Sequence, residues 1–277
     1  MDTTGDHGQP LAGMQVFTVR PRDRGTRRLL AALRAAGADA FNLAPQRLVA
    51  CPAPDVGRRI EDLGDASHWL FTSPAAVRIA ARQDDRAGLA LFAPAGSLAR
   101  AGAAGRVFAP GPGTAAELLH LGIAPTVPDQ RYDSEGLLAL PALGEPLEGH
   151  VVIVGAPDGR GLLAPSLRER GAKVTLLHVY ARVSQPLPRR ELARLCGTDC
   201  PLLVASSGAL LDALLAQLDT RRRQRLASRS AMVVASGRLA TQAREAGFTD
   251  VTTATSARPE DLLEAVHARA AAVRAPA

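Results

Sequence analysis

Residues Val151-Val152-Ile153-Val154, then Gly155-Ala156-Pro157-Asp158-Gly159, then a Leu/Ala/Arg run that ends at Gly171, read as a short β-branched strand, a turn and a helix with a stop. The closing glycine suits the left-handed position that ends a helix. The pattern recurs along the chain. Gln15-Val16-Phe17-Thr18-Val19 leads through Arg20-Pro21 into a helix ending at Gly37. Val107-Phe108-Ala109 leads through Pro110-Gly111-Pro112-Gly113-Thr114 to Gly122, and Met232-Val233-Val234-Ala235 leads through Ser236-Gly237 to Gly247. Two looser copies are His68-Trp69-Leu70-Phe71 into Thr72-Ser73-Pro74, and Leu202-Leu203-Val204-Ala205 into Ser206-Ser207-Gly208. Strands that alternate with helices of this length give an α/β class, with parallel sheets covered by helices on both faces.

The chain has 277 residues, roughly two domains at about 150 residues each. Hydrophobic residues at 47% and charged residues at 22% are ordinary globular usage, which excludes disorder, collagen-like repeats and a disulfide scaffold. The net charge of +6 is modest, but Lys173 is the only lysine among 33 basic residues. Arginine forks bidentately onto carboxylate or phosphate, so either a biased genome or an anionic partner accounts for the excess.

No apolar run approaches the roughly 18 to 20 residues of a membrane span, and Met1-Asp2-Thr3-Thr4-Gly5-Asp6-His7 lacks the basic start and apolar stretch of a signal peptide. The expectation is a cytoplasmic protein with no membrane partner. Cys51, Cys196 and Cys200 are too few for a disulfide frame, and Cys196-x3-Cys200 has no companions to complete a zinc site. The six histidines form no HExxH, so no metal is expected. Aromatics at 3%, and arginines that alternate with Asp and Glu, argue against nucleic acid.

In open α/β sheets the ligand sits outside the carboxyl ends of the strands, where helix N-termini present free N–H groups. Here those turns carry Thr72, Ser73, Thr114, Ser206, Ser207 and Ser236. Each can act as a plain N-cap, but together they make a surface of neutral donors suited to carboxylates. Gly159-Arg160-Gly161-Leu162-Leu163-Ala164 imitates a dinucleotide fingerprint, yet Thr175 to Val183 contains no acidic residue to hold a ribose. A GxSxG elbow and a P-loop are both missing.

The order of these turns resembles the uroporphyrinogen-III synthase family, from about Val16 to Leu263. The matching blocks are Thr18-Val19-Arg20-Pro21, Trp69-Leu70-Phe71-Thr72-Ser73-Pro74-Ala75-Ala76-Val77, Gly111-Pro112-Gly113-Thr114-Ala115 and Tyr132-Asp133-Ser134-Glu135-Gly136-Leu137-Leu138. Further on come Asp158-Gly159-Arg160, Arg170-Gly171-Ala172-Lys173-Val174, Val179-Tyr180-Ala181-Arg182, Ser206-Ser207 and Ser236-Gly237-Arg238-Leu239-Ala240. The resemblance implies two doubly wound parallel-sheet domains joined by a two-stranded antiparallel linker, the first domain discontinuous. Domain one is then 1–43 with 186–277, domain two is 50–177, and the linker strands are 44–49 and 178–185. The extended stretches 42–50 and 174–183 are those best placed to pair, and the substrate cleft is expected between the domains.

The implied reaction is cyclisation of hydroxymethylbilane to uroporphyrinogen III, with inversion of the last pyrrole ring and loss of water, in haem or sirohaem biosynthesis. It needs no cofactor. Departure of the hydroxyl calls for a proton donor, and the bending of the chain toward a spiro intermediate calls for shape and for donors that hold many carboxylates. Tyr180 falls on the family's catalytic tyrosine, the alternative being a strand tyrosine that anchors the hinge. Thr72, Ser73, Thr114, Ser206, Ser236 and Gly237 fall on the substrate-contacting turns, and Arg20, Arg160 and Arg182 are the charged candidates. Two positions depart from the pattern: Gly155 stands where many members carry arginine, and Arg238-Leu239 stand where some carry threonines. Expected partners are hydroxymethylbilane, handed over by hydroxymethylbilane synthase, and no second copy, since no heptad seam is present. Rival readings are a non-catalytic, synthase-like module that binds a tetrapyrrole or polyanion, with no DNA-binding region appended, and a hinged two-lobe receptor, which the missing signal peptide disfavours.

Overall fold

The computed structural model describes residues 9–52, 56, 59, 63, 66–87, 91–93, 96–157 and 161–274. The chain divides into two compact units. Unit 1 comprises Met1–Arg47 and Val183–Ala277, and unit 2 is Leu48–Arg182.

In unit 1 the described residues form a five-stranded sheet from β1 (Gln15–Val19), β2 (Asp39–Leu43), β9 (Leu202–Ala205), β10 (Ala231–Val234) and β11 (Asp250–Thr253), in the order β11-β10-β9-β1-β2. Every pairing is parallel, with Val16 opposite Leu202 and Val19 opposite both Leu43 and Ala205. Successive side chains of a strand point to opposite faces, and both faces here are covered. Phe17, Val19, Leu203, Met232 and Val234 pack against α7 (Arg189–Gly197), α8 (Gly208–Leu215), α9 (Thr220–Arg229) and α10 (Gly237–Glu245). Val16, Leu202, Val204 and Val233 meet α1 (Arg24–Ala35) and α11 (Pro259–Arg274). Asp23 caps α1 by accepting the Thr26 N–H at 2.7 Å, which satisfies one of the donors left open in a first turn.

Unit 2 holds a four-stranded parallel sheet, β4 (Ala66–Phe71), β5 (Val107–Phe108), β6 (His150–Gly155) and β7 (Lys173–His178), in the order β5-β4-β6-β7. All six residues of β6 are buried, as the apolar run Val151–Val154 requires, and the histidine that precedes it, His150, is held by Thr175 Oγ1 at 2.9 Å. Trp69, Phe71, Val152 and Val154 face α2 (Pro74–Ala87), α3 (Ser97–Ala103) and α4 (Pro112–His120). Leu70, Val151 and Ile153 face α5 (Ser134–Leu138) and α6 (Leu163–Glu169). Gly171 sits at φ +103°, the left-handed stop that its place after the helix demands.

The remaining strands, β3 (Gln46–Ala50) and β8 (Tyr180–Ser184), form a two-stranded antiparallel pair, and both unit boundaries fall inside it. Each extended stretch expected to pair is therefore two strands. Asp39–Leu43 and Lys173–His178 join the main sheets as edge strands, and only the residues after Pro45 and Val179 form the pair. Proline has no N–H to continue a ladder, and the Val179 carbonyl is taken by the Cys51 N–H at 3.0 Å.

Candidate functional site

A doubly wound sheet opens a crevice where its strand order reverses, because the loops on either side of that point run to opposite faces. In unit 2 the reversal lies between β4 and β6, with Phe71 opposite Val154. The next residues are Thr72 and Gly155. Thr72 donates its hydroxyl to the Val154 carbonyl at 3.1 Å and its backbone N–H to the same oxygen at 3.0 Å, so its side chain is fixed. A Cβ added to Gly155 would lie 2.3 Å from Thr72 Oγ1. The glycine that departs from the family's arginine is thus matched to Thr72, and no larger residue fits without moving it.

Around this point lies a cavity of about 360 Å³, at the small end of ligand pockets. Thr72, Tyr132, Ser134, Ala156, His178 and Arg182 are among its lining residues. Asp133 also lines it while capping α5, accepting the Gly136 N–H at 2.9 Å, and Arg131 pairs with it at 2.7 Å. An exposed arginine and a histidine, beside a Thr72 side chain whose hydroxyl proton is already donated to Val154, make a lining suited to a carboxylate-bearing ring.

Tyr180 opens β8 and is 2% exposed, packed in the core between the sheet and α2. Its hydroxyl lies 3.1 Å from Ser73 Oγ. Ser73 precedes α2 and accepts the Ala76 N–H at 3.1 Å, so one serine oxygen both caps the helix and holds the phenol. The Arg182 guanidinium stands 5.8 Å from the centre of the Tyr180 ring. Three of the residues singled out in the sequence, Ser73, Tyr180 and Arg182, therefore form one connected group, and Thr72 and Arg182 share the cavity.

In unit 1 the order reverses between β1 and β9, and the residues immediately after those strands are Arg20 and Ser206. Arg20 is 6% exposed and donates Nε to Thr26 Oγ1 at 3.2 Å and Nη1 to the Ala257 carbonyl at 3.1 Å. Burial pushes its guanidinium below the usual value, an effect partly offset by Asp23. It ties the end of β1 to the loop before α11. Ser236 is the N-cap of α10 and accepts the Leu239 N–H at 3.4 Å, Gly237 is that helix's first residue, and Ser206 lies in the turn before the N-cap Ser207.

Thr114 is not in a turn as its surrounding glycines suggested. It is 3% exposed, inside the first turn of α4, because Pro112 starts the helix immediately after Gly111. Arg160 lies outside the described residues, as do Asp158 and Gly159 of the dinucleotide-like motif. Sequence reasoning passed over Tyr132, Asp133, Ser134 and His178 as site residues. The first three stand in a block already quoted for its resemblance, and His178 lies two positions before Tyr180 on the same extended stretch. Among the described residues no group of three or more His, Cys, Asp or Glu side chains could hold a metal ion, and no helix is long and apolar enough to cross a membrane.

Comparison with known proteins gives a consistent picture. Residues 27–264 match a family model described as uroporphyrinogen-III synthase HemD. Over 140 residues, half of this chain, the sequence is 32% identical to uroporphyrinogen-III synthase of Escherichia coli and 34% identical to that of Salmonella typhimurium. These matches span 57% of each relative, so the chain covers little more than half their length. In fold it is similar to a mutant uroporphyrinogen III synthase of Thermus thermophilus, with a TM-score of 0.63 at 23% identity, 94% of this chain and 100% of the other being covered. The corresponding protein of Helicobacter pylori gives 0.60 at 15% identity over 94% of this chain and 100% of its own.

Proposed function

The chain belongs to the uroporphyrinogen-III synthase family, and from that premise we propose that it cyclises hydroxymethylbilane to uroporphyrinogen III with loss of water. The observation that carries the reading is the group at the switch point of unit 2: a cavity lined by Thr72 and Arg182, and, behind its lining, the buried Tyr180 held on Ser73 and joined to the cavity through Arg182.

Two tasks face such a catalyst. The hydroxyl of the substrate must depart as water, leaving an electrophilic azafulvene, and the far pyrrole must then attack through a spiro intermediate so that the last ring is inverted. For the first, Tyr180 supplies the proton, a role a phenol can fill when its oxygen is fixed in position. A cavity of about 360 Å³ takes part of a linear tetrapyrrole, so its walls orient one region of the substrate while the rest lies outside. Arg182 pairs with a carboxylate there and Thr72 shapes the wall. In unit 1, Ser206, Ser236 and Gly237 offer turn donors to further carboxylates, with Arg20 holding the turn after β1 in place. Arg160 joins the same assignment as a contact of unit 2, while the buried Thr114 holds the start of α4. The reading requires no cofactor. It includes domain boundaries near 43, 50, 177 and 186, a monomer in the cytoplasm, and delivery of the unstable substrate by hydroxymethylbilane synthase.

The test is direct. Freshly made hydroxymethylbilane cyclises spontaneously to the type I isomer, so purified protein should divert it to type III, resolved by chromatography of the oxidised products. Type I alone, from folded protein, would overturn the proposal and leave a module that binds without catalysing.

A further inference from the structure

Unit 1 contains a cavity of about 320 Å³ that none of the turns above accounts for. It lies beside β2, the last strand of its sheet, and is lined by Phe17, Phe41, Arg34, Arg190, Glu191 and Arg194, among others. The two phenylalanine rings are 5.5 Å apart. Arg194 lies over Phe41 with its guanidinium carbon 4.2 Å from the ring centre. Arg34 forks onto the Ala40 carbonyl through Nε at 3.2 Å and Nη2 at 2.7 Å. Two of the three arginines are thus held in place before anything binds, which lowers the ordering cost of a complex.

Charge and hydrogen bonding around the cavity are both left incomplete. Three arginines face one carboxylate, and among the described residues none of Arg34, Arg190 and Arg194 forms an ion pair, unlike Arg229 with Asp199 or Arg131 with Asp133. Glu191 Oε2 is buried and has no hydrogen-bond partner among the described residues. A buried acceptor without a donor is unfavourable, and it discriminates strongly in favour of a ligand that brings one. An aromatic wall with a stacked guanidinium takes a flat ring, the uncompensated positive charge takes an anion, and the orphan oxygen takes an N–H.

We propose that this cavity binds a small planar heteroaromatic carboxylate that carries a ring N–H. The ring lies against Phe41 and Arg194, the carboxylate meets Arg190 and Arg34, and the N–H donates to Glu191 Oε2. The volume limits the ligand to about one or two rings.

Pyrrole-2-carboxylate unites the three features and serves as the probe, titrated into the full chain and followed by amide chemical shifts. Saturable binding with Kd of about 1 mM is expected, with shifts centred on 40–43 and 189–195. N-methylpyrrole-2-carboxylate should bind about fivefold or more weakly, and Glu191→Ala should remove that preference. Arg190→Ala, at an exposed position, should weaken the probe by about five- to tenfold with the melting temperature unchanged. No saturable binding at about 20 mM, a level well above the expected Kd, would overturn the proposal. So would shifts centred on Thr72 and Arg182, or equal affinity for the two probes. The shift map of the unaltered chain decides even where a variant does not fold.

Discussion

Replacing Tyr180 by phenylalanine separates the two roles that its position allows. The ring is 2% exposed and packs in the core of unit 2, and phenylalanine keeps all of that burial. The loss is one hydrogen bond, 3.1 Å to Ser73 Oγ, and Ser73 keeps the Ala76 N–H that makes it a cap. A single neutral hydrogen bond of this kind contributes about 1 kcal/mol, or about 2–4 °C in Tm. If the tyrosine only anchors the strand, turnover should fall no further than that small loss of rigidity allows. If it delivers the proton, the rate of type III formation should fall by about tenfold or more, or about 1.4 kcal/mol on the barrier, while the melting temperature moves only slightly. The assay is initial-rate formation of the type III isomer by purified variant and parent, beside thermal melts of both. Unchanged type III turnover together with a lowered Tm would remove Tyr180 from the chemistry.

Other perturbations test neighbouring steps. Gly155→Ala places a Cβ 2.3 Å from Thr72 Oγ1 and should cost about 1–3 kcal/mol, and adding Thr72→Ala should recover most of that in a double-mutant cycle. A strictly additive pair would show that the two residues do not touch. Arg182→Ala should raise KM for hydroxymethylbilane by about fivefold or more at nearly constant stability, since the arginine is exposed; an unchanged KM would remove it from binding. Arg20→Ala should do the reverse, costing about 2–4 kcal/mol in denaturant unfolding because one buried and one half-buried hydrogen bond from a charged group disappear. A stable Arg20→Ala variant with a raised KM would move Arg20 into the binding set. His68 has its pKa lowered below 6.5, first by burial and then by Arg106. The unfolded chain therefore binds its proton more readily, and stability should fall as pH drops below about 6.5. That slope should flatten in His68→Phe, and a parallel slope in both proteins would assign it to other groups.

Much of this molecule could be read before its structure. Runs such as Val151 to Val154 and Leu202 to Ala205 are buried on both faces, so composition alone marks them as strands, and Gly171 marks a helix end because a side chain there is strained. The edge strands were harder. Lys173–His178 continues without a break of composition into its linker strand, and Asp39–Leu43 is parted from the next only by Ala44-Pro45, so hydrogen bonding shows where one ladder stops. The site was legible as a set of turns, since a carboxyl-end turn can be recognised from the strand before it. The pairing of Thr72 with Gly155, and of Tyr180 with Ser73, was not, because strand order decides which turns become neighbours. Arg20 shows the same limit: as sequence it is a cation at a ligand-facing turn, and in the fold its guanidinium is occupied by Thr26 and Ala257.

The interior position of β1, between β9 and β2, bears on how the chain acquires its shape during synthesis. Unit 2 is continuous from Leu48 to Arg182 and can complete its sheet as soon as it clears the ribosome. β1 and β2 emerge earlier, yet Val16 has its other neighbour in Leu202. The roughly 160 residues between the end of β2 and the start of β9 correspond to about 10–30 s of translation at about 5–20 residues per second. Through that interval the first two strands wait with one side of their ladder open, so the order of assembly runs from the middle of the gene outward, and the earliest residues made are among the last to be locked in.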